Sequence, residues 1–291
     1  MRIQLLSDLH LERHPDFVPE AAPGADVLVL AGDIGSYHDR SRLTDDDFGL
    51  GRFSPLESGK PWKHVLYVPG NHEFDGLEFD ATYARLRDTC ARLGITWLEQ
   101  ETLVIDGVRF IGTTLWADFD VLASLPPDPA LVGDGPGRES LLTWQLRLRG
   151  KAFRAANHYL AKATTLRDGV PMLAEGMRDL SLDCQAWLRA ALAVPFDGTT
   201  VAVTHFAPTL LSHDPRYGTT PGTAGFCNAL DDLLQFADVW MHGHLHCPHD
   251  YVVPHLVEGV RRRCRVVANP MGYIEKDEHL AFVPTWNIDI T

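Results

Sequence analysis

The stretch Val65-Leu66-Tyr67-Val68-Pro69-Gly70-Asn71-His72-Glu73 sets the reading of the whole chain. Four residues run without a charge, as in a strand buried on both faces, and the run stops at a proline and a cluster of ligand-type side chains. Four other runs repeat the arrangement. Ile3–Leu6 is followed by Asp8-Leu9-His10, Val27–Ala31 by Gly32-Asp33, Val201–Thr204 by His205, and Val239–Met241 by Gly243-His244-Leu245-His246. Two further runs, Phe110–Thr113 and Val266–Ala268, carry no such cluster. Chance placement of 24 glycines and 14 histidines in 291 residues yields Gly-Asn-His about 0.02 times and Gly-His-x-His about 0.05 times, so these two blocks are not noise. Asp-x-His or Gly-Asp alone would be. Every block directly follows a predicted strand, and in open α/β sheets sites form outside the carboxyl ends of strands.

Helical spacing lies between some of the strands, which makes the class α/β. Leu77, Tyr83, Leu86, Cys90 and Leu93 share one helix face, with Gly94 placed as a C-terminal cap. Leu180, Cys184, Trp187, Leu188, Ala191 and Leu192 share another, and Leu230, Leu233 and Leu234 predict a shorter third helix. Ser36–Lys63 reads as a surface loop, its acidic run Asp45-Asp46-Asp47 as a solvated face. Asp118–Met177 reads as an insertion between two core strands, with Pro126-Pro127, a turn at Gly133–Gly137, and then a helix bearing Arg147, Arg149, Lys151 and Arg154. That insertion is either a lid over the site or a long surface helix pair.

The 291 residues suit a single domain, 1–291, with a helical insertion at 118–177 expected as a lid. The net charge of −13 gives no general electrostatic reason to hold a long nucleic acid, although bound cations would reverse the sign locally for a small phosphate compound. Five dispersed cysteines (Cys90, Cys184, Cys227, Cys247 and Cys264) form no paired motif, which points to reduced thiols. Charge returns too soon after Met1 for a signal peptide, and no apolar run has membrane-spanning length, so the expected location is the cytoplasm.

Carboxylate, amide and imidazole ligands without thiolate suit manganese, iron, zinc or magnesium. Two divalent cations about 3.5–4 Å apart can clamp a phosphoryl group and activate water. Cations that close need an anionic bridge between them. The ordered set Asp-x-His, Gly-Asp, Gly-Asn-His-Glu, a lone His and Gly-His-x-His, from Asp8 to His246, resembles the calcineurin-like metallophosphoesterase superfamily. The resemblance implies two packed, mostly mixed β-sheets flanked by helices in four layers, and two metal ions per chain. It implies that Asp8, His10, Asp33 and His246 hold one ion and that Asp33, Asn71, His205 and His244 hold the other, with Asp33 bridging. His72 is then the catalytic acid or phosphate contact. The Asp-Arg-Gly of the superfamily's protein phosphatases is replaced here by Asp33-Ile34-Gly35, which brings the chain closer to the small bacterial branch that includes cyclic-nucleotide phosphodiesterases.

These readings predict a hydrolase in which hydroxide held on the metals attacks a small, nucleotide-type phosphate ester, with Asp33 and His72 as catalytic residues. A phosphomonoesterase or protein phosphatase, a nuclease of short oligonucleotides and a non-catalytic binding module of the same fold are the rivals. The substrate contacts expected are Asn71, His72, His213 and Tyr217. His242 is expected to be structural, His249 to stand behind the ligands, and His158 and Cys247 to take no part. Asn269-Pro270 reads as a plain turn and Arg261-Arg262-Arg263 as a solvated hairpin.

Overall fold

The computed structural model describes residues 1–56, 61–135, 137–162, 164–257 and 259–290. Residues 57–60 of the Ser36–Lys63 loop, and Pro136 of the Gly133–Gly137 turn, lie outside them.

In chain order the strands and helices are β1 (Arg2–Leu6), β2 (Val27–Ala31), β3 (His64–Val68), α1 (Phe79–Leu93), β4 (Thr96–Trp97), β5 (Glu101–Ile105), β6 (Val108–Thr113), α2 (Leu141–Leu160), β7 (Leu166–Arg167), β8 (Val170–Pro171), α3 (Ala174–Ala193), β9 (Thr199–Thr204), β10 (Val239–His242), β11 (His249–Val257), β12 (Val260–Ala268) and β13 (Asn287–Asp289). One sheet runs β13-β1-β2-β3-β4 and the other β11-β12-β10-β9-β6-β5. The centre of each is parallel: β1, β2 and β3 in the first, β6, β9, β10 and β12 in the second. Antiparallel β13 closes one edge of the first sheet, whose other edge is the short parallel β4, and antiparallel β11 and β5 close both edges of the second. All seven predicted strands are present.

The continuous apolar character of these strands comes from burial on both faces. Ile3, Leu5, Val27, Val29, Leu66 and Val68 meet Phe110, Val201, Val203, Met241 and Val267 in one core cluster between the sheets. The alternate residues face outward. Leu28, Leu30, Val65 and Tyr67 join Leu86 and Cys90 of α1, while Ile111, Ala202 and Trp240 join Cys184, Leu188 and Leu192 of α3. Burying each such side chain stabilises the fold by about 1.5–3 kcal/mol, so the two-sided core fixes where the parallel strands end. Among the described residues no helix is long and apolar enough to cross a membrane.

Several local expectations are corrected. The Leu230–Leu234 spacing does not make an α-helix. It makes two successive tight turns, with bonds from Leu233 N to Leu230 O and from Phe236 N to Leu233 O, since Asp231 and Asp232 favour turns over helix. Ser36–Lys63 is not merely surface: Phe48, Leu50 and Phe53 are buried in the core. Its acidic run is exposed at Asp45 and Asp46, as expected, and half-buried at Asp47; Asp45 accepts the Tyr37 hydroxyl and both Asp45 and Asp47 accept Gly49 N. Asn269 is buried and ties Leu5 and Val283 together through Nδ2 and Oδ1, where the sequence suggested a plain turn. The 118–177 segment holds α2, the β7–β8 hairpin and the start of α3. In it Arg147 pairs with Glu139 and Arg149 with Asp120. The triple arginine does lie, exposed, in the β11–β12 hairpin.

Candidate metal centre

The parallel strands of both sheets end at one place, and there the chain turns sharply. Asp8, His10, Asp33, His244 and His246 all have positive φ, between 46° and 73°. Asp and His tolerate this left-handed conformation better than most residues, and such strain persists only where the surrounding fold imposes it. The turns are locked by backbone bonds from Asp8 N to Gly32 O, His10 N to Asp33 O and Gly243 N to His205 O. Gly70 is required by close approach, since a Cβ there would stand 2.1 Å from Asp33 Oδ1.

Two groups of ligand-type side chains result: Asp8, His10 and His246, and Asp33, His205 and His244. In the first, His10 Nε2 and His246 Nε2 face each other at 3.0 Å, and Asp8 Oδ1 lies 3.5 Å from His246 Nε2. The far nitrogens are engaged, His10 Nδ1 with Glu12 at 3.1 Å and His246 Nδ1 with Glu278 at 2.6 Å. In the second, His205 Nδ1 donates to the Ala31 carbonyl at 2.8 Å. Its Nε2 faces Asn71 Oδ1 at 3.3 Å and Asp33 Oδ2 at 3.2 Å. Asp33 Oδ2 and His244 Nε2 are buried without a hydrogen-bond partner.

A carboxylate or carbonyl only accepts, so the engaged Nδ1 atoms are the protonated ones. In the neutral form that a metal ligand must take, the rings of His10, His205 and His246 turn lone pairs toward one another and toward Asp33, Asn71 and Asp8. Buried acceptors facing each other are unfavourable unless positive charge lies between them. The donor set fits two divalent cations on this ground.

Protons respond to the same field. Burial disfavours the charged form of His205, but the Asp33 carboxylate outweighs it and lifts the ring to about 9. Burial also opposes His246, yet its bonds to Asp8 and Glu278 lift it to about 9. His10 and His244 are held well below the ordinary imidazole range, first by burial and then by neighbouring histidines. Asp33 is lowered in spite of burial, because His205 and His72 surround it.

His72 stands apart from the two groups. Its Nδ1 binds Asp75 at 2.5 Å, its Nε2 is 4.0 Å from Asp33 Oδ2, and its backbone N donates to Asp33 Oδ1. Burial lowers it, but Asp75 and then Asp33 raise it well above the ordinary value. A protonated imidazole beside the acceptor cluster can give a proton to a leaving oxygen.

All eight motif residues thus come together. His213 and Tyr217 belong to neither ligand group: His213 Nδ1 donates to Leu210 O, and Tyr217, 66% exposed, lies beside the Arg216 guanidinium, which itself donates to the His246 carbonyl. His242 is structural, bonded to Ser212, and His249 lies against the His242 ring, not against a ligand. Cys247 belongs to neither group.

The sequence reading assigned no role to Glu12, Asp75, Glu278, Tyr273 or Phe226. Glu12 and Asp75 lie within three residues of a motif histidine, a spacing that could have flagged them. Tyr273 packs on the His10 and His246 rings at 4.5 and 4.9 Å, and half-exposed Phe226 lies 5.0 Å from the His244 ring. Glu73, quoted in the motif, has a structural task. Its carboxylate accepts Asp33 N, Ile34 N and Gly70 N and clamps the turns after β2 and β3.

Two packed mixed sheets with this ligand set at their strand ends define the metallophosphoesterase class. The chain belongs to the calcineurin-like phosphoesterase family, whose sequence profile matches residues 1–248. It is 30% identical over 124 residues to a UPF0046 protein of Caenorhabditis elegans, covering 39% of this chain and 39% of that protein. It is 31% identical over 97 residues to an uncharacterized protein of Acanthamoeba polyphaga mimivirus, covering 31% of each. The matched part thus spans well under half the length of these relatives. Among solved structures, the phosphopantetheinyl hydrolase from Mycobacterium tuberculosis shares the fold, with a TM-score of 0.61 and 20% identity over 94% of this chain and 90% of that one.

Proposed function

We propose that the chain is a dinuclear metal-dependent phosphodiesterase of the cytoplasm acting on a small, nucleotide-type ester. The observation that carries this is the convergence of Asp33 Oδ2 and His244 Nε2, both buried without a hydrogen bond, with the opposed ring nitrogens of His10 and His246. Asp8, His10 and His246 would hold one ion and Asn71, His205 and His244 the other, with Asp33 between them. Bound there, such ions would supply charge neutralisation on the phosphate and a water of lowered pKa. His72, oriented by Asp75, protonates the leaving oxygen. Phe226 offers a flat apolar face beside His244 for a planar leaving group.

Charge supports a diester over a monoester. Arg216 and Arg13, which approach the ligands, are already compensated: Arg216 donates to the His246 carbonyl but pairs with Asp214, and Arg13 pairs with Glu275. A singly charged diester needs less extra positive charge than a dianionic monoester. Assay of matched aryl monoesters and diesters with manganese, iron, zinc and magnesium tests this. A higher kcat/KM for the diester is expected, and a monoester preference under every metal overturns the substrate class.

A further inference from the structure

We infer that Glu278 is a positioning residue for the first metal group, and that the segment from Asn269 to Glu278, beyond the family-matched residues 1–248, completes that group. The inference rests on the dinuclear reading above. Glu278 is buried, with its side chain 4% exposed. Its Oε2 accepts from His246 Nδ1 at 2.6 Å and from Tyr273 N at 2.9 Å. One carboxylate oxygen thereby fixes both the proton on His246 and the loop that carries Tyr273. With Nδ1 holding the proton, the Nε2 lone pair of His246 is left directed at His10 and Asp8.

The segment is docked where this matters. Met271 N donates to Ser7 O and Gly272 N to Asp8 O at 2.9 Å, so it runs beside the first ligand block. Gly272 has φ 68°, and a Cβ there would lie 2.7 Å from Glu278 Cβ and 3.1 Å from His246 Cβ, which makes the approach possible only for glycine. The Tyr273 ring then covers both imidazoles from the outside.

The two groups are backed differently. His246 has the buried Glu278 carboxylate behind it and His10 the buried acidic side chain of Glu12, with side chains 4% and 3% exposed. His205 is backed by the neutral Ala31 carbonyl, and His244 lies between the rings of Phe206 and Phe226. An imidazole that donates to a carboxylate is the more basic ligand, and losing such a partner usually weakens metal affinity by about 10–100-fold. The first group therefore binds its cation more tightly, and Glu278 carries part of that difference.

The test is a manganese titration of metal-stripped protein, read by electron paramagnetic resonance, on wild type, Glu278→Gln, Glu278→Ala and Glu278→Asp, with thermal melts of the metal-free forms. Wild type is expected to bind two ions in a tight and a weaker class. Glu278→Gln keeps shape and an acceptor but loses charge, and should weaken the tight class about tenfold or more while leaving the weaker class near wild type. Glu278→Ala should weaken it further, and Glu278→Asp should regain part of the loss. If the metal-free Ala variant melts early, the Gln and Asp variants decide. Two wild-type sites with an unchanged tight class in Glu278→Gln overturn the inference alone. Fewer than two wild-type sites overturn the dinuclear reading as well.

Discussion

His72 and Asp33 show how two neighbouring residues with similar surroundings divide the chemistry. His72 touches Asp33 through its backbone N and binds Asp75 through its ring, so it is tied to the ligand shell without pointing a free lone pair into it. His72→Ala should lower kcat by about 10²–10⁴-fold with metal content near wild type. If the variant loses metal, its role is that of a ligand. Asp33 is placed between the imidazoles of His205 and His72, and Asp33→Asn should release more metal than any other single ligand change, which elemental analysis would show. Protonation follows with a definite sign. His205 and His246 are both raised, to about 9, from an ordinary 6.5. In metal-free protein their contribution to stability is complete below about 6.5 and is lost as pH rises to about 9. A cation must displace those protons, so metal affinity should rise over the same window. Melts with and without manganese between pH 6 and 9 should therefore diverge as pH rises, and parallel curves would refute this assignment.

At the level of elements, what decides precision is the set of turns after β1, β2, β3, β9 and β10. The left-handed residues after β1, β2 and β10 cost about 1–3 kcal/mol each when not imposed by packing. Glu73 is the main restraint on two of these turns. Glu73→Ala leaves the amides of Asp33, Ile34 and Gly70 without their acceptor, and at about 1–3 kcal/mol for each buried unpaired donor the loss should be roughly 3 kcal/mol or more. Urea unfolding would measure it. In the 118–177 segment, Arg147 and Arg149 are spent on Glu139 and Asp120, so their removal should change KM for charged and uncharged esters alike and only slightly. The parallel strands were legible in sequence because burial on both faces leaves an unbroken apolar run. β11 was not, because it is an edge strand of alternating exposure with Pro254 and two histidines in it. The motif ligands were legible because each sits right after such a run. Glu278 was not, because it lies 32 positions from its partner His246 and only the return of the chain past β12 brings them together.

Across the whole molecule, each ligand group draws on both sheets. Asp8 and His10 follow β1 in the first sheet and His246 follows β10 in the second, while Asp33 follows β2 and His205 and His244 follow β9 and β10. The sheets are also joined by the apolar cluster between them and, at this end, by Asn269, Met271 and Gly272, which follow β12 and bond Leu5, Ser7 and Asp8. A cation held in either group would thus be a cross-link between the two halves of the sandwich. It binds only when both halves are in place, since the unfolded chain cannot present residues 8 and 246 together. Ligand present at 100 times its Kd adds about 2.7 kcal/mol per site to folding. At about 2–4 °C per kcal/mol for a chain of this size class, each filled site should raise Tm by roughly 5–10 °C. Asp8→Ala and His246→Ala come from different sheets but remove the same cross-link. They should therefore lose the same part of the manganese-induced rise and keep the part due to the second group, with a chelator returning every form to its metal-free Tm. Should either variant keep the full rise, that residue would not be a ligand, and the first group would not span the two sheets.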